Sequence, residues 1–400
     1  MCWTKGLRTR LQAGRLGAVD WKSRAAALAD AVVHPASRWY GPLADTPRHL
    51  FVPRWWRAVP DGGWAVCDGA ADPERWAAAA YGDRTLVTRV GPLHADHAGA
   101  DDHPEGLPTS SSTLPGLVVV MYQHAMIVEG AEMLCLTGSG YGTALLARRL
   151  GERLVTSVDV DPYLVAAARG RLDRIGLRPR VEVADITGSL PGTFDRIVST
   201  VGLAGVPASW LRALRTGGRF VTNLVGTGMV IAADKTPDGG ARGRVSWQRA
   251  GFMATRSGED HPPQLAARHA WSADAEDVST GRYPVVQVTA TWELMTSFAL
   301  AVPGVQHGYA GDGDGVRTAV MVHPDGSWAR AVGRRGEHPT VHQAGPRRLW
   351  DSLDAIRHDW LSDGSLPVYG AAAAVDPDGT LHLTRGSWHA TIPAADTGTF

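Results

Sequence analysis

Three stretches of this chain could together hold an adenosine. The turn Thr137-Gly138-Ser139-Gly140-Tyr141-Gly142 follows a short apolar run, Met133–Leu136. Glycines there let the backbone approach a ligand and open a helix N-terminus toward it. Asp159 ends the next apolar run, Leu154–Val158, about 20 residues on, where a carboxylate can accept ribose hydroxyls. Asp185 ends a third run, Arg180–Val183, and can accept a hydrogen bond from an adenine amino group. The candidate cofactor contacts are therefore Thr137, Gly138, Ser139, Gly140 and Tyr141, then Asp159 with Val160, and Asp185 with Ile186. Each alone reads as an ordinary turn or a solvated strand-end cap. Their order, followed by Phe194-Asp195, is the specific feature.

A dinucleotide fingerprint would need a third glycine three residues after Gly140, and Thr143 stands there. That mismatch and Asp185 favour S-adenosyl-L-methionine. A second candidate lies upstream, in the hydroxyl-rich segment Thr109–Thr113 before Pro115. Ser111, Ser112 and Thr113 could orient a carboxylate. The same loop could simply cap the helix that begins at Pro115, with Thr113 near the cap.

Positioning these residues requires strands alternating with helices. Leu117, Val120, Met121, His124, Ala125 and Val128 share a face at helical spacing. A helix follows the glycine turn and stops at Gly151, and another begins at Asp161-Pro162 and stops at Gly176. Phe194–Val198 and Arg219–Leu224 read as further strands around a short helix, Ser209–Arg215. The pattern predicts an α/β, Rossmann-like fold with a parallel central sheet and ligands at the C-terminal strand ends. Residues 1–108 read as an N-terminal tail and cap, 109–230 as the cofactor-binding core and 231–400 as a strand-rich C-terminal region. His323-Pro324-Asp325-Gly326 and Asp376-Pro377-Asp378-Gly379 mark turns between strands there. Leu349, Leu353, Ile356 and Trp360 mark one helix face.

Composition narrows the classes. Lys+Arg and Asp+Glu are both 40, so no global field draws nucleic acid or a membrane surface. No apolar run approaches the roughly 18 residues of a spanning helix. The basic N-terminus, with Lys5, Arg8, Arg10 and Arg15, lacks a signal-peptide core; it reads as a frayed tail or a holder of acidic peptide. Cys2, Cys67 and Cys135 form no paired framework, which fits a reducing cytoplasm. No metal is expected: the histidines lack ligand spacing, and the twelfth position from Asp312 is His323 where a calcium loop needs Glu.

Four stretches resemble the protein-L-isoaspartate O-methyltransferase family: Thr46–Pro53 (TPRHLFVP), Tyr81–Leu86 (YGDRTL), Ser110–Pro115 (SSSTLP), and Thr137–Gly151 with the following VTSVDVDPYLVAAA. The likeness covers residues 40–225. It implies a class I methyltransferase that uses S-adenosyl-L-methionine, with Thr113 at the family's hydroxyl position two before proline. Leu134, Cys135 and Leu136 stand where the family usually has an acid and an extra glycine. Residues 226–400, with MYQHAMI, DVDPYLV and HPDGSWA, resemble long actinobacterial members linked to ribosomal peptide maturation beside ATP-grasp ligases, and similar lanthipeptide-associated forms. The resemblance implies methylation of an aspartyl or isoaspartyl carboxylate in a modified precursor peptide, promoting succinimide (aspartimide) formation. General isoaspartate repair and an inactive cofactor-binding protein are the alternatives.

Overall fold

A computed structural model of the chain describes residues 20–59, 62–255, 267–272, 274, 275 and 277–395. Cys2 and the basic residues Lys5, Arg8, Arg10 and Arg15 lie outside the described residues.

The centre is a ten-stranded sheet. Its first half is parallel, in the spatial order Arg180–Val183, Val155–Asp159, Met133–Leu136, Phe194–Leu203, Leu214–Leu224. Met133, Leu134 and Cys135 are fully buried at its middle, as expected of a parallel strand covered on both faces by helices. The chain builds outward from Met133–Leu136 to Arg180–Val183, then crosses back to lay Phe194–Leu203 on the other side. That reversal opens a crevice at the C-terminal strand ends, between Leu136 and Thr200.

The second half is antiparallel: Met229–Lys235, Ala241–Arg249, Ala372–Val375, Leu381–Arg385 and Trp388–Ile392. Short turns join all but one of its neighbouring pairs, the exception being Ala241–Arg249 with Ala372–Val375. Gly379, at φ 95° in the Asp376–Gly379 turn, joins two of these strands. The 230/231 division drawn from the sequence falls inside Met229–Lys235. Near this point the pairing switches from parallel to antiparallel within one sheet. Between Arg249 and Ala372 the chain forms a separate five-stranded sheet, Val278–Thr280, Thr340–Ala344, Trp328–Arg334, Val316–Val322, Gln306–Gly311. Phe298, Leu349, Trp350 and Leu353 are buried against it.

The N-terminal part forms a third sheet around Arg54–Ala58 and Leu86–Val90. Pro108–Ser112 joins its Leu86–Val90 strand, so the 108/109 division also falls inside a strand. The helix Pro115–His124 follows directly. It buries Val118, Val119, Met121 and Tyr122, a face rotated from the one the spacing suggested: Leu117, Val120 and His124 are only half-buried, and Trp39 stacks on Tyr122 at 5.3 Å. Val128 lies beyond the helix and is exposed. Thr113 is not its cap: Leu114 holds that position without a side-chain bond. Asp83 and Thr85 take the role instead, accepting from the Gly116 and Leu114 amides at 2.7 and 3.2 Å.

Candidate functional site

The glycine turn adopts left-handed backbone at Gly138 (φ 47°) and Gly140 (φ 90°), with the Gly140 amide donating to the Thr137 carbonyl at 2.7 Å. At Gly140 a Cβ would lie 3.0 Å from the Ala168 Cβ, so helix Pro162–Arg174 packs tightly there. Thr137 turns inward, its hydroxyl 2.6 Å from Ser157 Oγ. The Ser139 hydroxyl accepts from the Tyr141 amide, and its carbonyl accepts from Arg171. Tyr141 is buried against Phe51, with the Arg48 guanidinium 5.5 Å over its ring.

Asp159 locks this turn to the neighbouring strand. Its Oδ2 accepts from the Gly138 amide at 2.9 Å and its Oδ1 from the Asp161 amide at 3.0 Å. Asp185 uses one oxygen for the amide and hydroxyl of Thr187. Gly138, Asp159, Val160, Asp185 and Ile186 line one cleft, and facing them are Ser111 and Thr113. Thr137, Ser139 and Tyr141 line a smaller hollow that adjoins it.

The opposite wall is the irregularly paired strand Pro108–Ser112, of which Thr109, Ser110 and Ser111, with Thr113 beyond it, border the cleft. Thr109 donates to the Gly91 carbonyl, Ser110 accepts from Thr88, and the Ser112 hydroxyl lies 3.5 Å from Arg48 Nη2. Ser111 and Thr113 line the cleft, and among the described residues their hydroxyls have no protein partner. Ser112 is 2% exposed and borders only the smaller hollow, which separates it from the other two candidates.

Several site residues were invisible to sequence patterning. Arg48 is fully buried and donates to the carbonyls of Ala80, Gly82, Arg84, Ser112 and Thr113 at 2.9–3.2 Å. Burial pulls its pKa down to about 10. It lies inside TPRHLFVP, which marks the position but not the role. Asp161 caps helix Pro162–Arg174 and also meets His94 at 2.9 Å and Arg89 at 3.1 Å. Burial opposes its ionisation, yet the His94 hydrogen bond and the charges of His94 and Arg89 hold it well below the usual carboxylate range. This cluster clamps the N-terminal sheet onto the cofactor-side loop. The last missed element is Gly251–Thr255, which closes the cleft beside Thr200 and Val201. The Gly202 amide donates to Met253 and the Thr255 amide to Gly202.

Where the sequence lacks an acid before the turn, Leu134 and Cys135 are buried, burial pushes the Cys135 thiol up to about 11, and Leu136 lines the cleft. Among the described residues no cluster of His, Cys, Asp or Glu could hold a metal, and no helix is long and apolar enough to cross a membrane.

Comparison with known proteins places this geometry. The family model "Protein-L-isoaspartate(D-aspartate) O-methyltransferase" matches residues 102–246. Protein-L-isoaspartate O-methyltransferase 1 of Anaeromyxobacter sp. (strain Fw109-5) is 34% identical over 180 residues, covering 43% of this chain and 82% of that protein. Protein-L-isoaspartate O-methyltransferase 2 of Marinobacter nauticus is 34% identical over 135 residues, and the Thermococcus onnurineus protein-L-isoaspartate O-methyltransferase 33% identical over 136. Each of these two matches covers 32% of this chain, and the chain spans 61% of the length of either relative. On the Anaeromyxobacter match, and with the family model spanning both walls of the cleft at residues 102–246, the chain belongs to the protein-L-isoaspartate O-methyltransferase family.

Proposed function

We propose that this chain is an S-adenosylmethionine-dependent O-methyltransferase that methylates an aspartyl or isoaspartyl side-chain carboxylate of a peptide. The observation that carries the reading is the pair Ser111 and Thr113: two unpartnered hydroxyls opposite Asp159 and Asp185 across one cleft. Family members take their methyl group from S-adenosylmethionine.

The residues present fit that cofactor. Gly138 has φ 47°, and an added Cβ would sit 3.6 Å from the Ser111 carbonyl, between the two walls. Asp159 lines the cleft beside the Gly138 amide, where a carboxylate would accept ribose hydroxyls. Asp185 would accept from the adenine amino group. Leu134 puts no carboxylate before the turn, so the methionine ammonium must find other partners.

The cofactor supplies an electrophilic methyl group on a sulfonium. A peptide carboxylate, with a reference pKa near 3.9, is ionised at neutral pH and needs no general base. When bound, the cofactor would supply that methyl to a carboxylate oxygen and keep the carbon–sulfur electron pair as a thioether. What the chain contributes is alignment and exclusion of water, and orientation alone supplies roughly 7–11 kcal/mol. Hydroxyls at Ser111 and Thr113 can steer the oxygen without the ground-state stabilisation that a cationic clamp would impose.

We further propose that the substrate is a ribosomally made, crosslinked precursor peptide. The support is the long strand-rich extension beyond the family match and its resemblance to peptide-maturation members. The next backbone amide nitrogen would attack the new ester carbonyl, methanol would leave and a succinimide would remain. Mass spectrometry of the precursor should show a gain of one methyl, then a species one water lighter than the start. Equal kcat/KM for the precursor and for short isoaspartyl peptides would favour general repair instead.

A further inference from the structure

We propose that Trp247, Tyr369, Arg249 and Arg385 form a docking surface for an acidic stretch of the substrate peptide, beside the cleft. The inference rests on the methyltransferase reading and adds a class of sequence to its substrate.

Trp247 is 70% exposed, the most exposed large apolar side chain among the described residues. A lone exposed tryptophan is unremarkable, but this one is the outer tier of an ordered stack. Its ring lies 4.2 Å from Tyr369, and Tyr369 lies 6.0 Å from Trp292 at an interplanar angle of 27°. Trp292 is buried and anchored, its Nε1 donating to the Thr227 carbonyl at 2.9 Å. The outer rings are thus held in place before any ligand arrives, which reduces the ordering cost of binding.

Two cations flank the stack. The Arg249 guanidinium lies 4.7 Å over Trp292 and that of Arg385 5.8 Å over Tyr369. Among the described residues neither forms an ion pair, whereas Arg219 nearby in the sheet pairs with Asp234 at 2.6 Å. Positive charge with no ion-pair partner among the described residues, set against fixed aromatic faces, complements acidic side chains, and tryptophan, tyrosine and arginine are the types that dominate binding hot spots.

The surface runs into the cleft. Arg249 ends the strand Ala241–Arg249, and Gly251, two residues on, begins the cleft-lining segment. Two extended residues span about 7 Å. A peptide whose acceptor carboxylate reaches Thr113 could therefore lay neighbouring residues across Phe252 toward Arg249.

Fluorescence anisotropy with labelled ten-residue peptides tests this without methyl transfer. A glutamate–glycine peptide should bind the full chain. It should bind at least 10-fold more weakly to Trp247→Ala and to Arg249→Gln/Arg385→Gln, and added salt should weaken it further. Both variants alter surface side chains, and unchanged circular dichroism would verify their fold. No saturable binding, equal affinity in wild type and variants, or equal binding of a lysine–glycine peptide would overturn the proposal. Tighter binding of a ten-nucleotide oligothymidylate would overturn it in favour of single-stranded nucleic acid. S-adenosylmethionine titration of the same proteins reads the cleft separately: the variants should keep wild-type affinity, and failure of wild type to bind would sink the enzyme reading alone.

Discussion

The two walls of the cleft are held by opposite means. On the cofactor side the ligand-facing groups are themselves tied down: both oxygens of Asp159 accept backbone amides, and one oxygen of Asp185 is fixed by Thr187. On the substrate side the backbone is tied down and the facing hydroxyls are left open. Arg48 grips the Ser112 and Thr113 carbonyls from behind, while Ser111 and Thr113 point to the cleft. A cofactor of fixed shape suits a fixed set of acceptors. A carboxylate on a variable peptide suits hydroxyls that rotate on a rigid strand.

The sharpest way to break that contrast is to remove the grip. Arg48→Leu would leave five carbonyls without their donor in the interior. Hydrogen bonds to a charged group are worth about 1.5–3 kcal/mol each, so even partial loss should cost about 3 kcal/mol or more in a denaturant titration. Arg48→Lys should rescue little, because an ammonium lacks the planar fork. Wild-type stability in Arg48→Leu would show that the wall stands without it.

Asp159→Ala attacks the other wall. Loss of a charged acceptor should weaken S-adenosylmethionine by about 1.5–3 kcal/mol, or roughly 10- to 150-fold, in calorimetric titration. Unchanged affinity in a folded variant would reduce Asp159 to a brace for Gly138.

Thr113→Val asks whether the open hydroxyl aims the nucleophile. Volume is nearly conserved, so fold and cofactor affinity should hold while kcat falls by about 100-fold, the scale of a 1 Å misplacement. Thr113→Ser should keep most activity. Ser112→Ala, beside Arg48 rather than on the main cleft, should change kcat far less than Thr113→Val. Equal losses at 112 and 113 would erase the distinction that the structure draws between them.

A further effect concerns pH. Burial pulls His49 and His307 down to about 4 from the ordinary 6.5. The unfolded chain therefore binds protons more readily through that range. Stability should fall as pH drops from about 6.5 toward 4, and thermal melts of His307→Gln should show a shallower slope there. The ion-paired Asp161 acts in a separate window, below the ordinary carboxylate value of 3.8.

The cofactor wall was readable because its parts follow one another along the chain. A glycine turn, a strand-end Asp159 and a strand-end Asp185 each carry a local signature, and the parallel strands carry apolar runs. The substrate wall was only half readable. The hydroxyl run at 109–113 is visible as composition, but what sets Ser112 apart from Ser111 and Thr113 is its burial beside the distant Arg48. Arg48 lies 64 residues from Ser112, and Arg89 lies 72 from Asp161; no periodicity links such partners. Thr113 does lie beside the cap, Leu114, but the groups that accept the helix's first amides, Asp83 and Thr85, come from another strand's approach and had no local signal. The 230/231 division failed to mark a structural edge because antiparallel hairpins can extend a parallel sheet without a break.

The central claim is that the hydroxyl wall and the carboxylate wall act together to move a methyl group onto a carboxylate. Methyl-labelled S-adenosylmethionine, the enzyme and an aspartyl or isoaspartyl peptide decide it. The expected product carries label that mild base releases as methanol, with release of the demethylated cofactor in equal amount, and Thr113→Val slows it while cofactor binding persists. Base-stable label on nitrogen, or tight cofactor binding with no transfer to any peptide carboxylate, would contradict the account.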